Sequence, residues 1–271
     1  MHKKKSLGQH FLSDSFAAQK IVSSANIDGE SLVLEIGPGE GSLTRWISAS
    51  NPKKIILLEL DIRLIDSLKS KFPEAEIINK DACNFDMSSL MLSNGELVVI
   101  GNLPYNVSTK IVENLISSRK FIKHMVLMFQ KEVGDRISAI PGNKDYGRLS
   151  LLVQEFFEVE KLLNLKSDSF SPPPKVESVV LHFLPRDKAL VEPKDRATYT
   201  KLIDYSFSNR RKMVRRILKS LYPESLVPHE VLAAHIEGHT GLDLKKRPEQ
   251  LNIKDFERLS NSIFDCISQR S

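Results

Sequence analysis

Over residues 31–129, short aliphatic runs alternate with segments of helical spacing. Residues 31–36, 55–60, 75–79, 97–100 and 124–129 read as five strands. Between the first two, Leu43, Trp46 and Ile47 fall on one helical face, and Ile62–Lys71 has the same 3.6-residue period. Near-continuous aliphatic strands alternating with helices predict a parallel, doubly wound α/β sheet with right-handed crossovers. Upstream, Ser13 is placed to cap a helix carrying Phe16, Ala17, Ile21 and Val22 on one apolar face.

The pattern changes after residue 129. Residues 146–157 predict a helix, and 159–165 and 176–184 are β-prone runs separated by the loop SFSPPPK at 169–175. So short a loop holds no crossover helix, which makes these two strands antiparallel. Residues 185–193 are polar and bracketed by Pro185 and Pro193, a boundary between an α/β domain over 1–185 and a second domain over 186–271. From Asp195 the spacing is helical throughout. Val214, Ile217, Leu218 and Leu221 make one apolar stripe, and Phe256, Leu259, Ile263 and Ile267 another.

Composition narrows the class. The chain has 271 residues, 41% hydrophobic and 27% charged, enough for one full α/β domain and a small helical one. Cys83 and Cys266 are the only cysteines. They support no disulfide framework and no cysteine-based metal site, so no metal is expected and a reducing cytoplasm is. The apolar stretch near the start is broken by Gly8, Gln9 and His10, and no run is long enough to cross a bilayer. The expectation is a cytoplasmic protein without a membrane partner. The formal charge of +5 is modest, so its distribution matters more. Residues 206–220 hold Arg210, Arg211, Lys212, Arg215, Arg216 and Lys219 with no acidic residue. As a helix with Val214, Ile217 and Leu218 inward, this run is either a phosphate-binding face or a plain solvated one. Lys3, Lys4 and Lys5, with residues 186–188, extend the positive charge.

Candidate chemistry gathers at the expected strand ends. GPGEG at 37–41 joins a strand to a helix N-terminus, where glycine lets the backbone approach a ligand. Glu59, roughly twenty residues after Gly37, ends the second strand and suits ribose hydroxyls. Asp81 ends the third and can accept from an adenine amine. Together they favour an adenosine-containing cofactor, and the same spacing leaves an NAD dehydrogenase open. GNLPY at 101–105 follows the fourth strand. Asn102 offers a side-chain carbonyl and Leu103 a main-chain one, Pro104 fixes its own φ, and Tyr105 adds a flat ring. Two acceptors beside a ring suit a planar base with an exocyclic amine. An ordinary proline turn is the alternative.

Longer motifs then follow in order. KSLGQHFL (5–12), EIGPGEG (35–41), GNLPYNVST (101–109), QKE (130–132), DYGRLS (145–150), FSPPPKVES (170–178), RRK (210–212) and RPEQL (247–251) span nearly the whole chain. In these the sequence resembles the S-adenosylmethionine-dependent rRNA adenine dimethyltransferases, the bacterial 16S rRNA enzymes above all. The resemblance implies a Rossmann-like class I methyltransferase sheet, mostly parallel with an antiparallel last strand, plus a small all-α C-terminal domain. It implies S-adenosylmethionine held by His10, Leu12, Gly37, Gly39, Gly41, Glu59, Asp81 and Asn102. His10 departs from the family's usual Asn. It implies catalysis at Asn102, Leu103, Pro104 and Tyr105, with Phe170 on the other face of the target base or else in the core. The implied reaction dimethylates two adjacent adenines in the 3′-terminal hairpin loop of 16S rRNA, within the immature small subunit, by a monomer. The alternatives are a 23S rRNA adenine methyltransferase of the macrolide-resistance type and a non-catalytic ribosome-assembly factor. SPPPKVES and residues 247–251 favour the small-subunit enzyme, and the intact cofactor loop and NLPY favour catalysis. A dehydrogenase would need a nicotinamide-side constellation that the sequence lacks.

Overall fold

The computed structural model describes residues 10–90 and 97–269. Lys3, Lys4, Lys5 and the start of the first motif lie outside the described residues. In chain order the strands are β1 (Phe11–Leu12), β2 (Leu32–Ile36), β3 (Lys54–Leu58), β4 (Glu76–Ile78), β5 (Leu97–Asn102), β6 (Ile122–Gln130), β7 (Phe157–Leu165), β8 (Phe170–Ser171) and β9 (Ser178–Pro185). The helices are α1 (Ser15–Ser23), α2 (Thr44–Ala49), α3 (Ile62–Lys71), α4 (Ser108–Ser117), α5 (Lys131–Ile137), α6 (Arg148–Gln154), α7 (Arg196–Ser208), α8 (Val214–Leu221), α9 (His229–Thr240) and α10 (Ile253–Ser268).

Seven strands form one sheet in the order β4-β3-β2-β5-β6-β9-β7, and β1 pairs with β8 as a separate ribbon. The first five of the seven run parallel, as the aliphatic runs predict. Val33, Leu34, Val98, Val99 and Ile100 are fully buried, as expected for strands covered on both faces. The chain's last strand, β9, is antiparallel to both β6 and β7 and lies between them. The strand order reverses between β2 and β5, the switch point outside whose carboxyl ends open α/β sheets bind ligands.

Local chemistry explains where elements depart from the expected bounds. Asp14, not Ser13, caps α1: its carboxylate accepts from the Ala17 N–H at 3.0 Å, while the Ser13 hydroxyl donates to the Ser169 carbonyl. Phe16 lies off the apolar face and is 75% exposed. The helix expected over 146–157 is shorter, since Gly147 starts it and Phe157 already belongs to β7. Val176 stays outside β9.

Two compact units emerge. Among the described residues one holds the sequence up to Asp135 together with Phe156–Arg186, and the other holds Arg136–Glu155 with everything from Asp187 onward. Arg136–Glu155, placed by sequence in the first domain, therefore groups with the helical unit. That unit's core joins Tyr146 and Leu151 to Leu202, Val214, Leu218, Ile236, Phe256 and Ile263, which includes residues of both apolar stripes. Among the described residues no helix is long and apolar enough to cross a membrane.

The antiparallel side of the sheet is held by aromatic packing. Phe183 on β9 lies 5.9 Å from Phe129 on β6 and 6.1 Å, edge to face, from Phe157 on β7, and all three are fully buried. Phe183→Ala is expected to cost about 3–5 kcal/mol by lost transfer energy and an unfilled cavity, measured by denaturant unfolding.

Candidate active site

Three strand ends meet outside the switch point. The turn after β2 carries Gly37, Gly39 and Gly41, all at positive φ. At Gly39 the need for glycine is doubled, because a Cβ there would lie 2.6 Å from the Phe11 ring. Glu59, just beyond β3, is 5% exposed and uses both carboxylate oxygens. Oε2 accepts from the Gly39 N–H at 3.1 Å and Oε1 from the Asp61 N–H at 2.8 Å. Burial raises the Glu59 pKa, and those two backbone bonds oppose the rise. Each oxygen keeps a further lone pair, so the carboxylate both braces the glycine turn and remains an acceptor.

The third strand end is β5. Gly101 lies so near β2 that a Cβ would come 2.9 Å from the Ile36 carbonyl oxygen. Asn102 follows, and its Nδ2 donates to the His10 main-chain carbonyl at 2.8 Å. With Nδ2 engaged, Oδ1 is the atom left to accept. The Leu103 side chain is buried, and its N–H reaches the Met128 carbonyl at 3.3 Å, so the residue is pinned by backbone on one side and packing on the other. The Tyr105 hydroxyl shares a 2.6 Å hydrogen bond with Ser178 Oγ. Burial raises the Tyr105 pKa, which keeps the phenol neutral. The His10 ring stacks on Tyr105 at 5.5 Å between centroids and 26° between planes. Its Nδ1 lies 2.9 Å from the Pro172 carbonyl, an acceptor only, so Nδ1 carries the hydrogen. These groups line one cleft of about 420 Å³ including its open mouth, with His10, Gly37, Gly39 and Glu59 toward one end of the sequence and Asn102, Leu103, Pro104 and Tyr105 from the other.

The structure separates other expected residues from this cleft. Leu12 is buried in the core, and Phe11, missed in the sequence, lines the cleft instead. In β1 alternate side chains face opposite ways, so one of the pair must turn inward. Gly41 packs toward Phe72. Asp81 is exposed, lies three residues beyond β4, and accepts from the Cys83 N–H at 2.9 Å. Neither Gly41 nor Asp81 is among the residues lining the cleft. Phe170 is 3% exposed and packs in the core cluster beside Leu12, its partner in β1, the second of the two places the sequence allowed it.

The basic run is also reshaped. It is not one helix: α7 ends at Ser208, residues 209–213 form a turn, and α8 begins at Val214. The Arg210 guanidinium donates to the Lys144 carbonyl at 2.8 Å. Arg215 and Lys219 both pair with Glu230 of α9, at 2.6 Å and 3.4 Å. Arg211, Lys212 and Arg216 stand exposed on the turn and the outer face of α8. Arg186, counted with the positive face, pairs with Glu158 at 2.7 Å.

The chain matches the ribosomal RNA adenine dimethylase family over residues 1–264. It is 36% identical over 267 residues to the ribosomal RNA small subunit methyltransferase A of Staphylococcus carnosus, covering 96% of this chain and 90% of the relative. Likeness to the enzyme of the same name from Bacillus mycoides is 36% over 267 residues, covering 96% and 91%. The crystal structure of a Plasmodium falciparum dimethyladenosine transferase superposes with a TM-score of 0.79 at 28% identity, covering 92% of this chain and 96% of that one. That of the 23S rRNA methyltransferase ErmE gives 0.68 at 24% identity, covering 94% and 99%, a likeness of fold.

One buried acid of β2 was not anticipated. Glu35 interrupts the aliphatic β2 run one residue before its end, is 1% exposed, and accepts from the Thr44 hydroxyl at 2.6 Å. An acid inside an aliphatic strand was the available signal. Burial pushes its pKa from 4.5 up to about 8, the Thr44 bond opposes this, and the Glu59 charge adds to it. The folded state therefore holds a proton that the unfolded chain has released. Stability falls as pH rises from about 4.5 to about 8 and levels off above. Glu35→Gln keeps an acceptor for Thr44 and is expected to flatten that fall by on the order of a few kcal/mol, read as unfolding free energy against pH.

Proposed function

The chain belongs to the ribosomal RNA adenine dimethylase family, and from that premise we propose that it dimethylates the exocyclic amines of two adjacent adenines in the 3′-terminal hairpin loop of 16S rRNA. It is an S-adenosylmethionine-dependent rRNA adenine methyltransferase. The finer reading is that it acts in the cytoplasm as a monomer on the immature small subunit.

The residues present fit the donor. A glycine turn that admits no Cβ at Gly39 and a buried carboxylate with spare lone pairs suit an adenosine moiety pressed against backbone. Glu59 would take the ribose hydroxyls, and the turn at 37–41 with Phe11 and His10 would line the remainder. Bound there, S-adenosylmethionine supplies an electrophilic methyl group on a cationic sulfur.

Everything else asked of the protein is positioning. An adenine amine is a weak nucleophile because its lone pair is delocalised into the ring. Asn102 Oδ1 and the Leu103 carbonyl accept its two hydrogens, favour a pyramidal nitrogen and aim the lone pair out of the base plane. Tyr105 supplies the stacking surface for the extruded base. No strong base is needed, since the nitrogen proton becomes acidic once the methyl is attached. After one transfer a single N–H remains and one acceptor suffices, so the same pair serves the second step. The observation that carries this reading is the hydrogen bond from Asn102 Nδ2 to the His10 carbonyl, which leaves Oδ1 as the acceptor of a residue that lines the cleft with Tyr105.

The test is to incubate the protein with labelled donor and undermethylated small or large subunits and map the modified base. Label on paired adenines of small-subunit RNA is expected, and label on large-subunit RNA would select the resistance-type reading. Asn102→Ala should reduce transfer at least a hundredfold while the fold, by circular dichroism, is kept; near-normal dimethylation would remove Asn102 from its role. For the basic turn, Arg211→Glu with Arg216→Glu is expected to weaken RNA binding and lower the salt slope by about 2, since each cation displaces about one counterion. An unchanged slope would take that surface out of the RNA contact.

A further inference from the structure

We infer that the His10 imidazole holds the place of the target base on Tyr105 and is displaced from it when the base enters. This rests on the reading of Tyr105 as the base's stacking surface. Tyr105 is the fixed member of the pair, with its hydroxyl tied to Ser178 Oγ at 2.6 Å. Its ring meets the His10 ring at 5.5 Å and 26°. A base sandwiched between two rings needs their planes about 7 Å apart, two van der Waals separations, so nothing fits between these two as they stand. Phe170, the other aromatic near this loop in sequence, packs in the core cluster.

Two kinds of contact leave His10 in different ways. Its main-chain carbonyl holds Asn102 at 2.8 Å, and among the described residues its side chain meets the Pro172 carbonyl at 2.9 Å and the Tyr105 face. The imidazole can therefore swing away without freeing Asn102. Until then the Tyr105 face is covered. A purine covers a tyrosine ring more fully than an imidazole does, so the exchange favours a purine and gains less from a pyrimidine. The His10 side chain thereby acts as a positioning and specificity residue for the incoming base.

The experiment compares initial rates for wild type, His10→Ala and His10→Phe with labelled donor and undermethylated small subunits. Both variants keep the main-chain carbonyl used by Asn102. The expected result is a KM for subunits about three- to tenfold lower in His10→Ala, where the competitor is gone, and several-fold higher in His10→Phe, where it stacks better. A structural role would raise KM or lower kcat in both variants alike. Shifts in the same direction, or no shift in either, overturn the inference. In the free protein the His10 ring protons should be shifted upfield by Tyr105 and relax in Tyr105→Ala, and unshifted protons overturn it as well. If the wild type methylates neither subunit, the reading of the site fails and takes this inference with it.

Discussion

A parallel sheet covered on both faces allows almost no polar chemistry along its strands. Its backbone groups are consumed by the ladder, and side chains such as Val33, Val98 and Ile100 are sealed from water. Functional groups must wait for the positions where the chain leaves the sheet. Between β2 and β5 two such exits lie side by side because the strand order reverses there. Gly37, Glu59 and Asn102 all obey this constraint. Glu35 violates it by one residue, and its raised proton affinity is the energetic record of that violation.

The same constraint explains what was legible in the sequence. Aliphatic runs gave the strands because burial on two faces leaves them no alternative pattern. Polar residues placed just after those runs gave Glu59, Asn102 and Tyr105. What escaped were contacts across long stretches of chain. The bonds from Asn102 to His10 and from His10 to Pro172 join residues 92 and 162 positions apart, and no local period encodes them. The burial of Leu12 and Phe170 was not legible for a related reason. A two-residue strand has too few positions for alternation to show which side chain turns inward.

Charge was read less well than hydrophobicity. A run of cations without acids looked like one uninterrupted face, yet a turn at Asn209–Lys212 redirects half of it, and Glu230 from a different helix answers Arg215 and Lys219. Apolar stripes survive folding because each needs a buried surface. Exposed charge is governed by whatever side chain comes within a few ångströms, and such pairs contribute little to stability. The exposed Arg211, Lys212 and Arg216 are therefore a tertiary outcome and not a property of the run.

The place of β9 has a consequence for how the protein is made. It is the last strand of the sheet to leave the ribosome, yet it belongs between β6 and β7, which precede it. Until residues 178–185 are available, β6 is an open aliphatic edge and β7 has no neighbour in the sheet. A nascent chain stalled short of them presents an unpaired strand edge, the feature most prone to wrong pairing between molecules. Vectorial synthesis thus leaves the sheet open on one side until its final strand slots into the interior.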